Sequence, residues 1–96
     1  MSFEDFQAVY RSQSGRCQDT GVPFNVSKPQ LSPSPDRIDN LRGYVSGNLR
    51  FVTWRINNMR GGMTVDEFHG VCELVARRAA HTQICTAAVQ TSSGRA

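Results

Sequence analysis

The chain has 96 residues, 39% of them hydrophobic, and a formal net charge of +3. That length holds one small domain, or a domain with a tail, and a limited core that often needs a metal, a partner or a second copy to help it. No apolar run nears the roughly 18 residues of a membrane span. Met1–Asp5 has neither the basic start nor the apolar stretch of a signal peptide. Cys17, Cys72 and Cys85 lack paired spacing. A reducing, cytoplasmic location and no membrane partner are therefore expected.

Taken in chain order, Ser2 and Asp5 form a capping-box-like start, and Phe3, Phe6, Val9 and Tyr10 recur at helical spacing. They predict a helix over 3–13, ended by Gly15. Cys17–Gly21 reads as a turn and Val22–Phe24 as a short extended piece. Residues 25–35 carry Pro29, Pro33 and Pro35, and proline cannot donate to a strand ladder. A loop entering an edge strand at 35–39 is expected. Residues 40–47 must turn, with Gly43 and Gly47. Asn48–Thr53 alternates apolar with polar, the pattern of a half-buried strand. Trp54–Arg60 predicts a short helix stopped by Gly61-Gly62. Thr64–Glu67 is a capping box, and Val65, Phe68, Val71, Cys72 and Val75 share one face of a helix over 65–80. The pattern fades over 81–96. The expected organisation is one domain over 1–80 and a C-terminal tail over 81–96, partly disordered or helical.

The cations are uneven: ten are arginine and one is Lys28. Arginine offers a planar fork of donors that matches phosphate oxygens, whereas lysine is a point charge. Arg37, Arg42, Arg50, Arg55 and Arg60 fall within 37–60, against Asp36 and Asp39. A basic centre points to a polyanion; a solvated, arginine-rich surface is the plainer alternative. Carboxylates and carboxamides around one tight turn (Asp36, Asp39, Asn40, Asn48, then Asn57) add donors suited to a hard metal ion beside a phosphate. On the residues alone, Asp36 either holds a metal or pairs with Arg37 or Arg42. Asp39-Asn40 is either part of a site or an Asx turn. Asn57 is either a ligand or a helix surface residue. Phe51 and Trp54 are expected in the core, and Tyr44 in core or turn packing.

Ser34-Pro35-Asp36-Arg37-Ile38-Asp39, then Gly43-Tyr44, then Asn48-Leu49-Arg50-Phe51-Val52, then Asn57-Asn58-Met59-Arg60 resembles the HNH nucleases, also called His-Me-finger or ββα-metal nucleases, in their phage-type Asp-Arg-Ile-Asp branch. Cys17–Phe24 looks like the family's knuckle, and the resemblance covers about 17–78. It implies an α+β fold with a small ββα-metal core flanked by N- and C-terminal helices. The implied activity is hydrolysis of phosphodiester bonds in DNA, dependent on Mg2+ or Mn2+. Asp36 and Asn57 would be the metal ligands, and Asn48 would tie down the turn.

The chain departs from the pattern where a general-base His follows the Asp. Arg37 stands there, and arginine keeps its proton. It suits a phosphate clamp, which leaves the base to a metal-bound hydroxide, Asp39 or a side chain from elsewhere, His69 being nearest in sequence. Arg42, Arg50, Arg55 and Arg60 are expected at neighbouring phosphates. Structural zinc is not expected: Cys17 fills one of four places, while Thr20, Thr53 and Ile56 stand at the others. Thr20 and Ile56 are expected to pack there through apolar contacts. The second functional reading is a catalytically inactive nucleic-acid-binding or regulatory module. A nuclease of this size that cuts both strands needs a homodimer or two encounters, and 84–89 offers a segment for the dimer.

Overall fold

The computed structural model describes residues 1–87, with side chains through 82. Helix α1 (Phe3–Ser12) is followed by a 3-10 turn (Pro29–Leu31), strands β1 (Pro33–Arg37) and β2 (Leu49–Thr53), then helices α2 (Trp54–Arg60) and α3 (Val65–Ala87). This is a small α+β fold with two antiparallel strands and three α-helices, consistent with a ββα arrangement. The chain divides after Val65 into two compact units. No described helix is long and apolar enough to cross a membrane.

In the first unit, α1 begins at a complete capping box. The Ser2 hydroxyl accepts from Asp5 N–H at 3.1 Å, and the Asp5 carboxylate accepts from Ser2 N–H at 3.0 Å. The apolar face of α1 then meets β2. Tyr10 stands edge-on to Phe51 with ring centroids 5.2 Å apart, and Phe6 lies between Phe51 and Tyr44 at 6.4 and 5.6 Å. Phe24 stacks on Tyr10 at 5.8 Å. Below the rings, Cys17, Leu49 and Val52 are buried.

β1 starts at Pro33, two residues earlier than expected, and includes two prolines. The register explains how. Pro33 faces Thr53 and Pro35 faces Phe51. Phe51 turns both its backbone groups away from β1, donating to Gln13 Oε1 and accepting from Gln13 Nε2, each at 2.8 Å. Pro35 therefore sits in a pair that exchanges no ladder bonds, and its missing N–H costs nothing there. The Gln13 amide acts as a one-residue third strand on the outer edge of β2.

Because both sides of the hairpin are covered, β2 is buried at Leu49, Arg50, Val52 and Thr53, not half-buried. Trp54 departs from expectation in the other direction. It is 52% exposed, since it opens α2 with its N–H on Ser32 O and its ring directed outward. The Thr53 hydroxyl caps α2 by accepting from Ile56 N–H at 3.3 Å. Gly61 ends it at φ +53°, a conformation that disfavours a side chain.

In the second unit, α3 runs past the 65–80 expected for it to Ala87, so the described start of the tail is helical. Val71, Leu74 and Val75 stand exposed on it. The rest of the expected tail, 88–96, lies outside the described residues, as do the side chains of the proposed dimer segment.

Candidate active site

The hairpin turn is closed by Asn48, which is 1% exposed. Its Oδ1 accepts from Asp39 N–H at 2.8 Å, and its Nδ2 donates to the carbonyls of Gly43 at 2.8 Å and Asp39 at 3.1 Å. One carboxamide thus holds both ends of the loop that separates the strands, the role the resemblance implied for it. Asp39 spends its Oδ1 on Leu41 N–H at 2.9 Å, which is an Asx turn. His69 lies on α3, in the second unit.

The pleat brings Asp36 and Arg50 opposite each other, and α2 returns Asn57 and Arg60 to the same end of the hairpin. Together Asp36, Arg37, Asn40, Tyr44, Asn57 and Arg60 line a polar cleft of about 260 Å³. The two residues expected to act together, Asp36 and Asn57, therefore share one site. Asn57 Nδ2 donates to Ser34 Oγ at 2.8 Å and to Pro35 O at 3.3 Å, which fixes its amide against β1. Arg37 lies over the Tyr44 ring, 5.9 Å from its centroid, with Nη1 on Arg42 O at 3.3 Å.

Asp36 forms the floor and is 3% exposed. Its Oδ2 accepts from Arg50 Nε at 2.8 Å, and its Oδ1 accepts from Arg60 Nη2. Arg50 continues into a bidentate pair with Asp19, at 2.6 and 3.1 Å. The result is a buried chain of alternating charge: Arg60, Asp36, Arg50, Asp19. Burial alone would lower the Arg50 pKa, but hydrogen bonds to Asp19 and Asp36 outweigh it and raise the pKa. Two arginines expected at DNA phosphates, Arg50 and Arg60, are thus internal; alternating polarity in β2 marked Arg50 as outward, and the ion chain turns it in. Arg42 and Arg55 are exposed. Reading residues alone anticipated an ion pair for Asp36 but chose the wrong arginines. Asp19 was passed over inside the knuckle motif, and Gln13 carried no signal at all.

The knuckle is tied by hydrogen bonds. Cys17 N–H donates to Val22 O and Gly21 N–H to Cys17 O, both at 2.9 Å. Thr20, expected to pack inward, is exposed and accepts from Val22 N–H at 3.2 Å. Burial pushes the Cys17 thiol pKa up, but hydrogen bonds from the Thr20 hydroxyl and from backbone N–H groups, Thr53 among them, bring it below its ordinary value.

A divalent ion held by Asp36 and Asn57 does not fit this arrangement. Both Asp36 oxygens already accept from guanidinium groups, and a cation there would sit against Arg50 and Arg60. Among the described residues no three His, Cys, Asp or Glu side chains converge as a metal-binding group. What the cleft offers instead is donors: Arg37 at the rim, Tyr44 and Asn40 beside it, Arg60 below. No protein-family model, curated protein or solved structure matches this chain.

Proposed function

We propose that this chain acts on DNA as an HNH-type endonuclease on a ββα, His-Me-finger scaffold, with the polar cleft receiving the scissile phosphate. The observation that carries this reading is the convergence of Arg37, Tyr44 and Asn57 on one cleft, in the order and spacing of the motif that resembles the family. In hydrolysis, water attacks phosphorus and gives up a proton, negative charge grows on the non-bridging oxygens, and the bond to the leaving ribose oxygen breaks as that oxygen takes up a proton from solvent. Arg37 is placed to donate to those oxygens and stays protonated throughout. Asn48 holds the loop that carries the rim. Arg42 and Arg55, exposed on the same unit, give sequence-independent contacts to flanking phosphates.

The buried state of Asp36 favours a second reading, a DNA-binding module without chemistry, because that carboxylate is committed to Arg50 and Arg60. Plasmid nicking separates the two, with Mg2+, Mn2+ or EDTA present and DNA binding followed across a salt series. Nicking by the wild-type chain that Arg37→Ala abolishes supports the nuclease. Salt-sensitive binding without nicking under any condition supports the module. Binding that does not weaken as salt rises would remove both.

A further inference from the structure

We infer that the cleft is an oxyanion seat that takes a phosphate group directly, with no divalent cation between phosphate and protein. The inference deepens the reading above, on which it rests for the identity of the site, and it turns the misfit of the metal pair into a statement about the ligand.

Three observations converge. The first is charge. The ionic groups lining the cleft are Asp36, Arg37 and Arg60, one anion against two cations, and neither Asp36 oxygen is left unbonded. A site with that balance attracts an anion and repels Mg2+.

The second is an unsatisfied donor. Arg60 is 3% exposed, and its Nε is buried with no acceptor among the described residues. Its Nη2 is shared among Asp36 Oδ1, Arg37 O and Asn40 Oδ1, while Nη1 is spent on Met63 O. A buried guanidinium N–H without an acceptor is unfavourable, and a ligand oxygen that displaces a group covering the cleft floor would supply the missing partner.

The third is the ease with which the rim can turn. Arg37 Nη1 holds Arg42 O at 3.3 Å, and Tyr44 Oη holds Pro35 O at 3.5 Å. Both bonds are long for their type, so both donors can move to a phosphate oxygen at little cost. Asp36 is then the counter-ion that keeps Arg60 in place, and Arg37 and Arg60 are the groups that meet the anion.

The test is a titration of the 15N-labelled chain with inorganic phosphate in EDTA, at ionic strength held constant with chloride, reading the arginine Nε–Hε resonances. Saturable shifts centred on Arg60 and Arg37 are expected, with chloride alone producing none. Arg37→Ala should weaken phosphate binding about tenfold, the loss of one charge-assisted donor, whereas Arg77→Ala on α3 should leave it unchanged. Equal shifts at all arginines, or a phosphate response that appears only when Mg2+ is added, would overturn the inference. The titration involves neither DNA nor turnover. Failure of nicking with phosphate binding intact therefore strikes the nuclease reading alone, and failure of phosphate binding with nicking intact strikes this one alone.

Discussion

Arg60, the last residue of α2, donates from Nη2 to Asp36 Oδ1 near the end of β1, 24 positions earlier in the chain. That contact ties the helix to the hairpin at the point where the cleft opens. It also decides what Asp36 can do, because a carboxylate already committed to two guanidiniums is a structural anion before it is anything else.

Asp36→Asn removes the anion and leaves Arg50 and Arg60 buried with reduced compensation. Breaking a buried ion pair from one side costs about 3–5 kcal/mol, a large share of the stability of a domain this size. Urea unfolding should show that loss with or without Mg2+. A variant as stable as wild type would mean the carboxylate is held for chemistry rather than for the fold. For the same reason, a nicking assay on an Asp36 variant is informative only when its unfolding curve is recorded beside it.

Asn48→Ala should open the 39–47 loop. Three loop groups, Asp39 N–H and the carbonyls of Asp39 and Gly43, lose their partner. At roughly 1 kcal/mol for each net hydrogen bond, a destabilisation of about 2–4 kcal/mol is expected. Amide hydrogen exchange should accelerate at Asp39, with α1 little changed. Exchange unaltered across the loop would contradict the role given to the carboxamide.

The sequence made some of this legible and hid the rest for identifiable reasons. Local signals worked: the Ser2–Asp5 box and Gly61 after α2 each depend on neighbours a few residues away, while the Asn48 loop tie followed from the resemblance. Long-range compensation did not show. The prolines delayed the expected start of the edge strand to 35, because nothing in the sequence reveals which strand positions bear no ladder bonds; that depends on Gln13, 38 residues from Phe51. Arg50 looked like a surface cation because alternation counts polarity and cannot see a carboxylate arriving from Asp19. Trp54 was placed in the core by its size, whereas its position at the start of α2 turns it to solvent.

Gln13→Ala tests the improvised strand edge. It strips Phe51 of a donor and an acceptor together, and about 1–3 kcal/mol should be lost. Gln13→Glu keeps an acceptor for Phe51 N–H but loses the donor to Phe51 O, so it should fall between wild type and alanine. If thermal unfolding ranks glutamate at or below alanine, the paired-amide account of Pro35 fails.

Asp5 supplies a pH signature. The backbone N–H of Ser2, then the Ser2 hydroxyl, hold its carboxyl below the ordinary value of 3.8. A depressed carboxyl stabilises the folded state above the unfolded pKa, and the contribution is lost as pH falls through the folded pKa. The start of α1 should therefore loosen below pH 3.8, in the range of the lowered folded value. NMR titration of the Asp5 carboxyl should place its midpoint under that of an unfolded-chain aspartate. Asp5→Asn should abolish the step, and an unshifted midpoint would refute the capping role.

The most direct measurement is single-turnover cleavage of a labelled DNA duplex by wild type and Arg37→Ala, with DNA affinity measured on the same samples. If Arg37 meets charge that develops only during reaction, cleavage should fall on the order of 10²–10³-fold, while affinity drops no more than the loss of one phosphate contact requires. Equal losses in affinity and rate, or a variant that cuts as fast as wild type, would contradict the account.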